Sequence, residues 1–269
     1  MSEHACSIGE VPFGEGGLAL IAGPCMAESR QLCLDVAGHV AQVCRKLGVG
    51  FVFKASYDKA NRSSGGSYRG PGRDTGLQWL ADVREQIGVP VLSDVHETHE
   101  VPSAAAVLDA LQIPAFLCRQ TDLLAEAGRT GKPVNIKKGQ FMAPWDMAGA
   151  VEKVRNAGGE VLLTDRGTFF GYNRLVSDMR CIPQMQAFAP VVFDATHSVQ
   201  EPGGLGSASG GERRYAPLLA KAAVAAGADG LFIEVHPDPN NALSDAACQI
   251  PLADIEDLLA RCVEIHRVA

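Results

Sequence analysis

The chain has 269 residues, 46% hydrophobic and 20% charged, with a formal net charge of −7 that no acidic or basic tail carries. That is enough for one large core or two modest ones, and an acidic chain is a poor holder of a nucleic-acid backbone, so any anion it binds must be met by local cations. No apolar run approaches bilayer-spanning length, the polar start Met-Ser-Glu-His-Ala-Cys is no signal peptide, and eight cysteines without a C-x-x-C pair read as reduced, mostly buried thiols of a cytoplasmic protein.

The first 17 residues hold Gly9, Pro12, Gly14, Gly16 and Gly17 and read as an N-terminal extension or small hairpin covering the floor of the fold built by the later residues. From residue 18 to the end a repeating grammar takes over. Short apolar runs at 18–22, 51–54, 91–94, 110–113, 134–137, 161–164, 191–194 and 230–234 each end in polar or charged residues. Helix-period segments follow most of them, at 29–47, 75–87, 98–108, 121–129, 147–157, 216–226 and 252–267. Strands alternating with helices imply a parallel sheet, and eight such units in this length are the usual content of a (β/α)8 TIM barrel. A doubly wound open sheet is the competing arrangement. The barrel is preferred because polar residues close nearly every strand, and only a closed ring brings all of them to one mouth. Two Gly-rich loops, 65–76 and 203–211, lie after strand ends and are candidate lids. No linker, repeat or low-complexity block argues for a second domain, so 18–269 is expected to be one barrel.

The densest chemistry lies just past the second run, in Phe51-Val-Phe-Lys-Ala-Ser-Tyr-Asp-Lys-Ala-Asn-Arg-Ser-Ser-Gly-Gly66. Lys54, Lys59 and Arg62, with three hydroxyls, are poor core material and good material for gripping phosphate. Lys137, Lys138 and Arg166 close later strands. Any single loop Lys or Arg reads as solvated, but six at the same end of successive strands point to a polyanionic small molecule, because Arg meets phosphate or carboxylate as a fork and Lys as a point charge.

A second constellation could surround a divalent ion: Cys25 after the first barrel strand, His197 after the seventh, and Glu234 with Asp245 after the eighth. These strands are neighbours once a barrel closes. The mixed S, N and O donor set suits Fe²⁺, Zn²⁺, Mn²⁺ or Co²⁺ better than Mg²⁺ or Ca²⁺. Taken singly, Cys25 reads as a buried thiol and His197 as a hydrogen-bonded loop histidine. His96-Glu97-Thr98-His99-Glu100 has the wrong spacing for H-E-x-x-H, Gly203-Gly-Leu-Gly206 lacks the context of a dinucleotide loop, and His236 reads as a support for its neighbours.

In order along the chain, Phe53-Lys-Ala-Ser-Tyr-Asp-Lys-Ala-Asn-Arg-Ser-Ser64, Leu111-Gln-Ile-Pro-Ala-Phe-Leu-Cys-Arg-Gln-Thr-Asp122, Val134-Asn-Ile-Lys-Lys138, Arg166-Gly-Thr168 with Phe170-Gly-Tyr172, Phe193-Asp-Ala-Thr-His-Ser-Val-Gln200 and Phe232-Ile-Glu-Val-His-Pro-Asp238 resemble the 3-deoxy-D-manno-octulosonate 8-phosphate synthases from Ile21 to Leu252. The resemblance implies a (β/α)8 barrel, usually a homotetramer, that condenses phosphoenolpyruvate with D-arabinose 5-phosphate and water and releases phosphate, for lipopolysaccharide synthesis. It implies that Lys54, Ser56, Lys59, Gln112, Ala115, Lys137 and Arg166 hold phosphoenolpyruvate, that Asn61, Arg62 and Ser63 hold the sugar phosphate, and that Asp94 and Asp194 are mouth carboxylates near the reacting atoms.

The family has metal-dependent and metal-independent forms, and an asparagine stands in the latter where this chain has Cys25. The resemblance therefore implies the metal-dependent form, with Cys25, His197, Glu234 and Asp245 as ligands. On that basis Lys59 is expected to donate toward the forming alkoxide, and His197 or Asp245 to take the proton of water. The nearest rival is a related synthase that uses erythrose 4-phosphate to make 3-deoxy-D-arabino-heptulosonate 7-phosphate; the Lys-Ala-Asn-Arg-Ser-Ser stretch argues against it. A non-catalytic phosphosugar sensor on the same barrel would be expected to lose a ligand or a cation. A purely structural zinc at Cys25 would be closed by four ligands.

Overall fold

The computed structural model describes residues 4–60, 66, 68–204 and 210–269. A hairpin opens it, β1 (Cys6–Ile8) against β2 (Val11–Phe13). The ring strands and their helices follow: β3 (Ala19–Gly23), α1 (Arg30–Leu47), β4 (Gly50–Lys54), α2 (Arg73–Ile87), β5 (Val91–Asp94), α3 (Val101–Val107), β6 (Ala110–Ile113), α4 (Thr121–Arg129), β7 (Val134–Lys137), α5 (Ala148–Asn156) and β8 (Val161–Asp165). A short hairpin, β9 (Thr168–Phe169) with β10 (Leu175–Val176), precedes α6 (Cys181–Gln186) and β11 (Val191–Asp194). Another, β12 (Gln200–Glu201) with β13 (Gly210–Gly211), precedes α7 (Ala216–Ala225), β14 (Gly230–His236), β15 (Ile250–Pro251) and α8 (Ile255–His266).

The parallel order β11-β8-β7-β6-β5-β4-β3-β14 closes on itself through β11 and β14, with Val192 opposite Gly230 and Asp194 opposite Phe232. The chain is a (β/α)8 barrel: among the described residues, eight parallel strands form the ring and a helix follows each. Side chains along a strand alternate between the helix layer and the barrel interior. In β4, Phe51 and Phe53 pack among the helices while Val52 joins the interior cluster. That cluster combines Ile21, Leu92, Ala110, Leu162, Val192 and Phe232 with Cys6, Ile8, Val11 and Phe13 of the hairpin, which plugs the amino-terminal end of the ring.

The inward positions change character at the carboxyl end. Val52 is followed two residues on by Lys54, Leu92 by Asp94, Ala110 by Gln112, Leu162 by Thr164, Val192 by Asp194 and Phe232 by Glu234, and all six polar residues are buried. One end of the barrel lumen is therefore a packed apolar floor, and the other a ring of charged and amide groups.

Helix boundaries depart from the periodic pattern where proline or glycine intervenes. The segment 98–108 divides into a 3-10 turn, Thr98–Glu100, and α3, whose second residue is Pro102; a proline at a helix start loses no hydrogen bond there. Residues 144–147 form a 3-10 turn of the same kind before α5. The Gly-rich stretch 65–76 is not all loop, because Gly72 (φ +87) ends it and α2 is already formed at Arg73. Helix α6 has no counterpart among the periodic segments, since six residues with Pro183 among them give too short a repeat to register. Long α1 shows the opposite case: Ser29 caps its start by accepting from the Leu32 N–H, Gly48 ends it at φ +70, and Cys33, Val36, Ala37, Val40, Ala41, Val43 and Cys44 form its buried face.

Candidate active site and metal centre

Three neighbouring strand ends build the first half of the site. Cys25 follows β3, His197 follows β11, and Glu234 and Asp245 lie in and after β14. One donor atom from each lies within 4.8 Å of all the others. Cys25 Sγ is 3.3 Å from Asp245 Oδ2, His197 Nε2 is 3.4 Å from Glu234 Oε2, and His197 Nε2 is 3.5 Å from Asp245 Oδ2. Ligands about 2.0–2.3 Å from a tetrahedral ion stand roughly 3.3–3.8 Å apart, and these three pairs fall in that range.

Electrostatics agree with that spacing. Glu234 is 1% exposed and neither of its carboxylate oxygens has a hydrogen-bond partner; His197 Nε2 stands 3.4 Å from Oε2 and Lys54 Nζ 3.6 Å from Oε1. A buried carboxylate so poorly matched is costly unless a cation completes it. Burial and the neighbouring Glu234 push the Cys25 thiol well up, so a thiolate there requires added positive charge. Asp245 adopts φ +45, left-handed for a residue with a side chain, and Asp is among the few that tolerate it.

Around these four, other side chains fix orientation. The fully buried Asp194 carboxylate accepts from His197 Nδ1 at 2.7 Å and from the His197 N–H at 2.9 Å, leaving Nε2 to face Glu234 and Asp245. Gln249 accepts from the Cys25 N–H at 3.1 Å and donates to the Ser244 carbonyl at 2.8 Å, tying the loop after β3 to the one after β14. Gln200 donates to Asp245 Oδ1 at 2.9 Å and accepts from Arg166 at 2.8 Å.

The second half is a cationic bowl over the same lumen. Lys54 and Lys137 are almost wholly buried, and the Lys137 ammonium sits 3.2 Å above the Phe232 ring while pairing with Asp194 at 2.5 Å. Burial lowers the Lys137 pKa to about 8; Asp194 opposes the fall, and the charges of Lys54 and Arg166 add to it. Burial also disfavours charge at Lys59, but Cys25, Glu234, Asp94 and Asp245 outweigh it and hold its ammonium above the ordinary lysine range. Asp94 likewise resists its burial, through Lys54 and Lys59, and stays far below the usual carboxylate range.

A hydrogen-bonded belt joins five strands beneath the bowl. Thr164 donates to Asn135 Oδ1 at 2.6 Å, Asn135 to Gln112 Oε1 at 2.9 Å, and Gln112 to Asp94 Oδ1 at 2.5 Å. From the other side Lys54 donates to Ser56 at 2.8 Å, and Ser56 donates to Asp94. Donors converge on Asp94 from both directions, so the Gln112 amide has one allowed orientation. Gly23 allows the rim to be this tight: a Cβ there would lie 2.1 Å from the Lys54 carbonyl oxygen.

The structure thus brings Cys25, Lys54, Ser56, Lys59, Asp94, Gln112, Lys137, Arg166, Asp194, His197, Glu234 and Asp245 to one mouth. Ala115 opens the 3-10 turn directly after β6. Asn61, Arg62 and Ser63 lie outside the described residues. Lys138 does not join the mouth. It follows Lys137 and so points the other way, to Asp165 behind the barrel wall. His236 approaches Glu28 at 3.6 Å and accepts from the Asp238 N–H, a supporting role. Sequence reasoning missed Asn135, Thr164, Gln200 and Gln249. Asn135 and Thr164 occupy inward positions near the ends of β7 and β8, a signal the strand pattern offered; Gln200 in the two-residue β12 and Gln249 in the loop before β15 offered none.

Known proteins resemble the chain over most of its length. The family model described as the DAHP synthetase I family matches residues 3–268. The 2-dehydro-3-deoxyphosphooctonate aldolase of Desulfotalea psychrophila is 57% identical over 251 residues, 93% of this chain and 90% of that protein. The protein of the same name from Syntrophotalea carbinolica is 56% identical over 264 residues, 97% of this chain and 95% of that one. That from Rhodopseudomonas palustris strain BisB5 is 54% identical over 265 residues, 97% and 92%.

Proposed function

The chain belongs to the DAHP synthetase I family, with 2-dehydro-3-deoxyphosphooctonate aldolases as its close relatives, and from that premise we propose that it joins phosphoenolpyruvate to D-arabinose 5-phosphate and water, giving 3-deoxy-D-manno-octulosonate 8-phosphate and phosphate. The observation that carries the proposal is the meeting of four metal-type donors with Lys54, Lys59, Lys137 and Arg166 at one mouth. Two phosphates and a carboxylate need that many local cations on an otherwise acidic chain.

In this reading Lys54, Lys137 and Arg166 grip phosphoenolpyruvate, the Gln112 amide and the Ala115 turn orient it, and Phe232 floors the pocket. Asn61, Arg62 and Ser63 hold the sugar phosphate and set how far the aldehyde reaches. The nucleophilic enol carbon forms a C–C bond to the aldehyde carbon, water adds at the neighbouring carbon, and the C–O bond to phosphate breaks. Lys59, kept protonated by its anionic surroundings, donates to the new alkoxide. The proton of water passes to the Asp245 carboxylate, because both His197 ring nitrogens are committed, Nδ1 to Asp194 and Nε2 to the ion site; Asp94 and Asp194 hold the cations in place. Cys25, His197, Glu234 and Asp245 would hold a divalent ion (Fe²⁺, Zn²⁺, Mn²⁺ or Co²⁺), which when bound supplies Lewis-acid polarisation and orientation without a redox step.

The same reading makes the protein a cytoplasmic homotetramer. No helix of the structure is long and apolar enough to cross a membrane. All eight cysteines are free and buried. Phe116, Phe141 and Trp145 stand about half exposed, surface that assembly would cover.

Phosphate release from phosphoenolpyruvate, measured with arabinose 5-phosphate and with erythrose 4-phosphate before and after chelation alongside metal analysis, tests the proposal. Turnover with the five-carbon sugar, lost on chelation and restored by a divalent ion, is expected. Preference for the four-carbon sugar would instead assign the heptulosonate reaction. No release with either would leave a binding protein.

A further inference from the structure

Among the described residues, Lys138 is the one cation of the strand-end row that the mouth does not use. It is fully buried, 3.3 Å from Asp165, itself 1% exposed. The Lys138 ammonium donates to the Gly167 carbonyl at 3.1 Å and lies 3.4 Å from both the Gly139 carbonyl and the Thr168 hydroxyl. Asp165 Oδ2 accepts from the Gly167 N–H at 3.2 Å, and the Lys138 N–H donates to the Thr164 carbonyl at 2.8 Å. Apart from the one to Gly139, these contacts fall on residues 164–168 and flank a single residue, Arg166, which stands between Asp165 and the left-handed Gly167 (φ +82).

The guanidinium itself is loosely directed. Its Nε is buried without a hydrogen-bond partner, and Gln200 is its side-chain contact through a terminal nitrogen. The backbone turn beneath it therefore decides where it points. On the neighbouring strand Lys137, adjacent to Lys138, faces the lumen.

We infer that the Lys138–Asp165 ion pair is a positioning clamp, holding the Arg166–Gly167 turn against the end of β7 and so setting the spacing between the Lys137 ammonium and the Arg166 guanidinium. A buried ion pair is a weak source of stability compared with an apolar replacement of equal size, whereas an anion subsite built from a point charge and a fork is sensitive to displacements near 1 Å. The inference rests on the reading of these two cations as the phosphoenolpyruvate grip, and it makes Lys138 and Asp165 positioning residues that touch no substrate.

The test titrates phosphoenolpyruvate calorimetrically into the wild type, Lys138→Met, Asp165→Asn and Lys138→Arg, each with its metal content measured, and sets the result beside the KM for arabinose 5-phosphate. Phosphoenolpyruvate affinity should fall about tenfold or more in Lys138→Met and Asp165→Asn, with the sugar-phosphate KM and the metal content unchanged and partial recovery in Lys138→Arg. A fall in kcat at unchanged phosphoenolpyruvate affinity, the signature of lost packing alone, overturns the clamp. Where Lys138→Met does not fold, Asp165→Asn decides: it keeps the Lys138 contacts to Gly139 and Gly167, and wild-type affinity in it overturns the proposal. A wild type that binds phosphoenolpyruvate but turns over no arabinose 5-phosphate refutes the proposed reaction, while the titrations of the variants still decide the clamp.

Discussion

Asp194→Asn removes one charge and almost no volume from the centre of the site. The carboxylate accepts from Lys137 at 2.5 Å, from His197 Nδ1 at 2.7 Å, from the His197 N–H at 2.9 Å and from the Thr196 hydroxyl at 3.2 Å, all without solvent contact. An asparagine can keep its oxygen on the His197 N–H, but its amide hydrogens must then face the Lys137 ammonium or the imidazole. Removing one member of a buried pair costs about 3–5 kcal/mol, a large part of the stability of an ordinary domain.

The site should suffer separately. A metal-type histidine that loses the partner of its other nitrogen weakens ion binding about 10- to 100-fold, or about 1.4–2.7 kcal/mol. Lys137 loses the group that opposes its desolvation, so its pKa drops below about 8 and its charge at pH 7.5 diminishes. Urea unfolding, competition with a chelating dye for zinc, and the KM for phosphoenolpyruvate at pH 7.5 measure the three effects. Zinc affinity within twofold of wild type together with an unchanged KM would refute the role assigned to Asp194, whatever the urea curve shows.

The pH profile offers an independent check. In the proposed grip phosphoenolpyruvate needs Lys137 protonated, and burial lowers that lysine to about 8, so kcat/KM for phosphoenolpyruvate should decline as pH rises through about 8. Lys137→Arg, charged throughout, should move this limb upward, and a wild-type profile flat to pH 9.5 would contradict the assignment. At the opposite end of the barrel, Phe13→Ala should cost about 3–5 kcal/mol of unfolding free energy, because its ring is fully buried in the floor cluster and fills the space that a Cβ on Gly230 would enter. Turnover per folded molecule should be unchanged; a denaturant-measured cost below about 1 kcal/mol would mean that the hairpin lies outside the core.

Ring strands, their order and the residues that close them were legible along the chain, because strand and helix periods are local and a closed barrel turns each carboxyl end toward one mouth. Cys25 and Asp245, 220 positions apart, could be matched on that reasoning before any distance was known. The division of labour between Lys137 and Lys138 was not legible. Which of two consecutive lysines enters the lumen depends on the phase of a strand only four residues long, and one residue of slip exchanges them.

Helix α6 was invisible for a related reason: six residues are too few to show a period, and its place is set by packing between β8 and β11. Gln200, in the two-residue β12, and Gln249, in a loop, lie in segments whose course is decided by ring closure. Residue types and their order along the chain therefore determined the architecture and the inventory of the mouth. Tertiary structure alone decided which polar group meets which, because Gln249 reaches Cys25, and Gln200 reaches both Arg166 and Asp245, between segments far apart in sequence that only the closed ring brings together.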